Sequence, residues 1–367
     1  MSILVTGATG FIGRRVVEYL LSLGCSVIAT SRKPLEYAKK ILPFNDDGGT
    51  LNYISKNLND REENYYSFFG KPKIMIHLSW EGLLNYNDLV HIERNLPVNY
   101  YFIKNMIQNG LPDVTITGTC FEYGLQYGCL DEGMDTRPVT NYALAKDTLR
   151  KFIQSLKYDF NFKWLRLFYL YGSGQGEQSL HAQLEAAVKN NEKIFNLSMG
   201  EQLRDYLPVD TATKYIVKLA LQNNVQGIIN CCSGKPISIR RFVENFFNQR
   251  NYMAELNLGY YPYAEHEPLA FWGNTEKMIY ALGDGTIIAP PPRRLLYLDI
   301  FLVKGGVFQR SAGCGACTRF FIQNHLLHKK RLITQQMRQQ PDGVNIVMIM
   351  LINLNYYLNN ICVSNTQ

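Results

Sequence analysis

The chain has 367 residues, enough for two domains or one large domain with an appendage, and its 46% hydrophobic and 19% charged content excludes a disordered or fibrous protein. Its net charge of +7 is concentrated at one end: nine Lys/Arg and three acids lie from Asp284 onward, leaving 29 basic and 28 acidic residues ahead of it (38 less 9, and 31 less 3). The main part is therefore near neutral, so no nucleic-acid partner is expected for it, and the eight cysteines lack a disulfide-framework spacing, which points to a reducing cytoplasm.

The first strand is expected at Ile3-Leu4-Val5, so no secretory leader is expected, and the longest apolar run, 344–358, is interrupted by Asn353 and Asn355 and is too short to span a membrane. That strand feeds Thr6-Gly7-Ala8-Thr9-Gly10-Phe11-Ile12-Gly13, and Val16, Val17, Leu20 and Leu21 then recur at helical spacing. A glycine-rich turn between a strand and a helix suits a dinucleotide. Gly7 permits the tight turn, Gly10 lets the backbone approach a pyrophosphate, and Gly13 lets helix and strand pack closely, while the helix N-terminus faces the phosphates. A second strand is expected at 26–30. It runs into Ser31-Arg32-Lys33, where an NAD-preferring fold usually places an acid; Arg32 with Ser31 suits the 2′-phosphate of NADP instead.

Residues 34–66 carry no clear pattern. Further strands are expected at 73–77, 114–117 and 164–167, with a helix at 91–109 and another running from Pro138 to about 156. Tyr142 and Lys146 are four apart and share a face of that second helix. Strands alternating with helices predict an α/β fold, a Rossmann-type doubly wound parallel sheet over residues 1–170, with a smaller C-terminal substrate-binding lobe over 171–283 that returns some segments to the sheet.

The N-terminal Thr-Gly-x-x-Gly-x-x-Gly turn, a Thr119 ahead of Tyr123-Gly124 and the Tyr142-x-x-x-Lys146 helix together resemble the extended short-chain dehydrogenase/reductase (NAD-dependent epimerase/dehydratase) family. The stretches 118–124 and 267–273 are similar to the branch that includes nucleotide-sugar 4-ketoreductases such as CDP-paratose and abequose synthases. The resemblance implies Thr119, Tyr142 and Lys146 as the catalytic set. The cofactor set it implies is Gly7, Gly10, Phe11, Ile12, Gly13, Ser31, Arg32, Asn57, Leu58 and Leu78 with Tyr142 and Lys146. Asn57 stands where relatives often have an Asp toward the adenine. Thr119 and Arg204 are the implied substrate contacts, Arg204 reaching the nucleotide diphosphate with its planar fork. His77 reads as a strand-end structural residue.

Tyr142 is the expected general acid. A phenol of pKa near 10 needs help at neutral pH, and a nearby ammonium such as Lys146, together with a positively charged oxidised nicotinamide, would favour the phenolate and lower that value. Dehydratases of the family place Asp-Glu after the Thr; here Cys120-Phe121 follows, and Glu122 falls one position late and reads as support for the loop. The expected activity is NADPH-dependent reduction of the 4-keto group of a nucleotide-linked 6-deoxy or 3,6-dideoxy hexose, by a cytoplasmic homodimer serving bacterial surface polysaccharide. The alternatives are a 4-epimerase with retained NAD and a dinucleotide-sensing regulatory protein. The resemblance stops near Gly283. Residues 284–367 read as a basic extension in which Cys314, Cys317, His325 and His328 lack a finger's spacing, so no metal is expected. An RNA or membrane role for this tail would show as salt-dependent binding.

Overall fold

Ile3, Leu4 and Val5 are fully buried on strand β1 (Ser2–Thr6), as a strand covered by helices on both faces requires. After it come α1 (Gly13–Ser22), β2 (Ser26–Ser31), α2 (Leu35–Ala38), β3 (Thr50–Ser55), α3 (Tyr65–Phe68) and β4 (Ile74–His77). These are followed by α4 (Leu96–Gln108), β5 (Asp113–Thr119), β6 (Gly128–Leu130), α5 (Asn141–Gln154), β7 (Asn161–Leu167) and β8 (Tyr169–Tyr171). Next are α6 (Leu180–Asn190), β9 (Ile194–Asn196), β10 (Leu203–Pro208), α7 (Val209–Leu221) and β11 (Gly227–Cys231). Last are β12 (Pro236–Ser238), α8 (Ile239–Asn248), β13 (Glu255–Asn257), β14 (Phe271–Gly273) and α9 (Glu276–Leu282). This computed structural model describes residues 1–44, 48–264 and 267–283, which fall within a unit spanning Met1–Arg293. The basic extension, with Cys314, Cys317, His325 and His328, lies outside the described residues.

Seven strands form one parallel sheet in the order β11-β7-β5-β4-β1-β2-β3. The winding reverses between β1 and β4, which opens a crevice at the carboxyl ends of those strands, where such sheets hold ligands. Val16, Val17, Leu20 and Leu21 of α1 pack with Ile216 and Val217 of α7 in one core cluster. Phe102, Ile103 and Met106 of α4 pack with Leu149 and Ile153 of α5 in another. The chain leaves the sheet after β7 to build a second, three-stranded sheet, β12-β10-β8, and returns to it with β11. A cluster of Leu184, Phe195, Phe242, Val243 and Phe247 joins α6, α8 and β9. No helix among the described residues is long and apolar enough to cross a membrane.

Two local differences from the sequence expectation have physical reasons. The helix expected at 91–109 begins as a π-helical turn, His91–Asn95, before α4. Pro97, in the first turn of α4, has no N–H for an i−4 bond, so the turn ahead of it widens. The strand expected at 114–117 extends to Thr119, whose side chain caps the 3₁₀ turn Cys120–Tyr123.

Candidate active site and dinucleotide cleft

The glycine turn is built as its sequence requires. Gly7 has φ +66°, and a Cβ there would stand 3.0 Å from the backbone of Leu78 and Ser79. A Cβ on Gly13 would fall 2.1 Å from the Gly7 carbonyl oxygen, so this residue has to be glycine for α1 to sit against the turn. No side chain caps the first turn of α1 at Ile12, which suits a phosphate there. Beneath the turn, Thr6 Oγ1 lies 2.9 Å from His77 Nδ1 and accepts from the N–H groups of Leu78 and Ser79. His77 Nε2 is 2.9 Å from Asn99 Oδ1. Burial pulls the His77 pKa down to about 3, so the ring is neutral and structural.

Two adjoining cavities share Leu78 and Trp80. The first, about 280 Å³, is lined by Gly7, Gly10, Ser31, Arg32, Asn57, Leu58 and Leu78, which brings together most of the residues expected to hold the adenosine end. Ser31 Oγ accepts from Thr9 Oγ1 at 2.9 Å and lies 2.8 Å from Tyr53 Oη. Arg32 forms an ion pair with Glu81, which also pairs with Arg94. Asn57 Oδ1 accepts from the backbone and side chain of Asn59, so in this structure it caps its own loop.

The second cavity, about 260 Å³, is lined by Phe11, Ile12, Leu78, Thr119, Tyr142 and Lys146. Thr140 caps α5 by accepting from the N–H of Ala143, which fixes the start of the helix and puts Tyr142 and Lys146 in its first turns. Tyr142 and Thr119 line this cavity together, and the Tyr142 ring stacks on Tyr86 at 5.4 Å. Lys146 Nζ donates to the Thr117 carbonyl at 2.9 Å and stands 4.1 Å from the centre of the Trp80 ring.

The electrostatics of this pair differ from the sequence expectation. Burial pushes the Tyr142 phenol well above its ordinary value, and nearby Tyr86 and Glu122 push in the same direction. Burial also pulls Lys146 down to about 7. In this dry site the ammonium is itself disfavoured, so it does not draw the phenol down. Tyr142 is a neutral hydroxyl here, a donor of a proton rather than an acceptor of one.

Glu122 is fully buried and closes a capping box with Thr119. Its Oε1 accepts from the N–H of Thr119 and from Trp164 Nε1, each at 2.9 Å, and its Oε2 accepts from Arg166 Nε at 2.8 Å. Arg204, expected at the diphosphate, is held here by a carboxylate. Its side chain is 1% exposed and ion-paired with Glu267 at 2.7 Å, and it lies outside the lining of both cavities. Its guanidinium carbon is 5.1 Å from the Phe271 ring and 5.6 Å from the Tyr169 ring. Sequence reasoning missed Trp80 and Glu81 as site residues, although their place just beyond the carboxyl end of β4, beside the crevice, was the available signal. It also missed Gln175, whose buried Oε1 lacks a hydrogen bond among the described residues at the edge of the second cavity.

A family model described as the NAD dependent epimerase/dehydratase family matches residues 3–232. The chain is 29% identical over 279 residues to dTDP-6-deoxy-L-talose 4-dehydrogenase (NAD(+)) of Aggregatibacter actinomycetemcomitans, covering 74% of this chain and 99% of that protein. It is 23% identical over 251 residues to GDP-6-deoxy-D-talose 4-dehydrogenase of the same organism, covering 65% and 76%. Among solved structures, UDP-glucuronic acid 4-epimerase from Bacillus cereus, in complex with UDP-glucuronic acid and NAD, matches with a TM-score of 0.65 at 18% identity, covering 77% of this chain and 93% of that one.

Proposed function

The chain belongs to the NAD-dependent epimerase/dehydratase family, and on that premise we propose that it reduces the 4-keto group of a nucleotide-linked 6-deoxy or 3,6-dideoxy hexose, with NADPH as the reductant. The observation that carries this reading is that Thr119, Tyr142 and Lys146 line one cavity, with the phenol protonated. A bound dihydronicotinamide would supply the hydride to C4. Tyr142 Oη gives its proton to the carbonyl oxygen as the C=O becomes an alcohol, and Thr119 hydrogen-bonds the oxygen on which charge develops. With the cofactor bound, Lys146 would hold its ribose hydroxyls.

Dehydration is disfavoured because it needs a free carboxylate beside Thr119. The nearest one, Glu122, is tied by both oxygens to Thr119, Trp164 and Arg166. The two relatives from Aggregatibacter are named as 4-dehydrogenases of nucleotide-linked 6-deoxytalose, and the reverse of such an oxidation is the reduction proposed. One of them is named for NAD(+), so cofactor choice in this chain rests on its own residues. Arg32, Lys33 and Lys56 line the adenosine cavity with a single acid, Glu81, which favours the extra phosphate of NADPH. A homodimer in the cytoplasm belongs to the same proposal. Arg204 is assigned in it to shaping the sugar-nucleotide wall with Tyr169 and Phe271.

The test is cofactor oxidation against a panel of CDP-, dTDP- and GDP-linked 4-keto-6-deoxyhexoses. One member should be turned over, with NADPH ahead of NADH and the preference reduced at least tenfold by Arg32→Ala. Interconversion of C4 epimers with no net cofactor oxidation would replace this reading with the epimerase. Tight cofactor binding with neither reaction would favour a dinucleotide sensor.

A further inference from the structure

A third cavity, about 420 Å³ and separate from the two of the cleft, is lined by Arg137, Arg150, Lys151 and Arg166, with one carboxylate, Asp135, and Thr136 among the remaining lining residues. Arg150 and Arg166 are buried, and such charges are unfavourable unless carboxylates or a ligand neutralise them, whereas Arg137 and Lys151 are exposed. Part of that neutralisation is internal. Arg150 and Lys151 both pair with Asp147, and Arg166 with Glu122. Two donors are left over. Arg137 forms no ion pair among the described residues. Arg166 Nη1 is buried and lacks a hydrogen-bond acceptor among the described residues, although the Arg166 side chain is only 1% exposed. Tyr123 lies against it, with the ring centre 4.3 Å from the guanidinium carbon, and the Tyr123 hydroxyl, which is hydrogen-bonded to Asn230 at 2.8 Å, also interacts with Arg166. A buried guanidinium N–H without an acceptor is unfavourable, so Nη1 is a donor that an anion in this cavity could satisfy.

We propose that this cavity binds a phosphoryl group, as inorganic phosphate or as a phosphomonoester. Its donors come from three separate parts of the fold: Arg137 from the loop before α5, Lys151 from α5 and Arg166 from β7. Lys151 has N–H groups to spare beyond its one bond to Asp147. Donors converging from three sides suit a group with three equivalent oxygens, and guanidinium forks match phosphate geometry. The volume admits a group larger than phosphate alone. The site is also joined to the catalytic cavity. The guanidinium that would meet the anion holds Glu122 through Nε, and Glu122 holds the N–H of Thr119.

The test is calorimetric titration of the full-length protein, saturated with NADP+ so that the glycine turn is occupied, using inorganic phosphate and glucose 1-phosphate as separate probes. Saturable binding of at least one probe is expected, weakened tenfold or more by Arg137→Ala and by Lys151→Ala and unchanged by Lys214→Ala, an exposed lysine on α7. Tighter binding of the sugar phosphate would identify a phosphomonoester as the occupant, and equal or tighter binding of phosphate the free ion. No saturable binding of either probe, or binding indifferent to both cavity variants, overturns the proposal. Arg166→Lys, which keeps the charge beside Glu122, provides a further check: it should weaken the probe while the thermal midpoint stays within a few degrees.

Discussion

Substituting Glu122 by Gln tests how Thr119 is held. The side chain is the same size, so no cavity forms, but the carboxylate that faces Arg166 at 2.8 Å and Arg150 at 3.8 Å is lost. The amide presents a donor to at least one of three donors, the Thr119 N–H, Trp164 Nε1 or Arg166 Nε. Arg166, 1% exposed, is left as an uncompensated buried charge. Breaking such a pair from one side destabilises by about 3–5 kcal/mol. At about 2–4 °C per kcal/mol for a chain of this size, the thermal midpoint should fall by roughly 6–20 °C. Thermal and urea unfolding measure it, and Glu122→Gln combined with Arg166→Met completes the cycle. If the loss comes from the unpaired charge, the double variant should be more stable than Glu122→Gln alone. A loss below about 1 kcal/mol in the single variant, or no recovery in the double, would refute the reasoning.

Tyr142→Phe should lower kcat by about 10²–10⁴-fold with cofactor affinity changed only a few-fold, since the hydroxyl alone is removed; near-normal turnover would take Tyr142 out of the mechanism. Gly13→Ala drives a Cβ to 2.1 Å from the Gly7 carbonyl, so dinucleotide affinity should fall tenfold or more by fluorescence titration while the distant small lobe keeps its fold. Lys146→Met should stabilise the cofactor-free protein, and by an amount that depends on pH. The folded pKa of about 7 lies below the unfolded value of 10.5, so the unfolded chain binds more protons between the two. The destabilisation from burying the ammonium is fully present below about pH 7 and fades as pH rises toward 10.5. Urea unfolding at pH 7 and pH 10 should show the variant's advantage at the lower pH and little at the higher; an equal advantage at both would count against the shifted lysine.

The parallel sheet was legible because its inner strands are buried on both faces and read as continuous apolar runs, as in Ile3-Leu4-Val5 and Ile74-Met75-Ile76. Strand β3 was not, because it is an edge strand. Its Thr50, Asn52 and Ser55 face solvent to varying degrees, and Leu51 and Tyr53 alone give too short a pattern. The glycine turn and the Tyr142–Lys146 spacing were readable because each depends on residues adjacent in sequence. Arg204–Glu267, 63 residues apart, and Glu122–Arg166, 44 apart, depend on tertiary pairing that no local spacing encodes. The direction of the Tyr142 shift was missed for the same reason: a neighbouring charge is visible in a sequence, but the dryness of the pocket around it is not.

The link from Thr119 through Glu122 to Trp164 and Arg166 fastens the last residue of β5 to the middle of β7. One residue, Phe168, separates β7 from β8, where the small sheet begins. Mechanically, Thr119 is thus part of the chassis, as is Tyr142 on α5 packed against the sheet, and a hinge between sheet and lobe would lie after Leu167. Closure about that point would carry Tyr169 and Gln175 toward a donor that stays still. Substitutions in the lobe should then act on how firmly a sugar is gripped and leave the intrinsic rate of proton delivery alone.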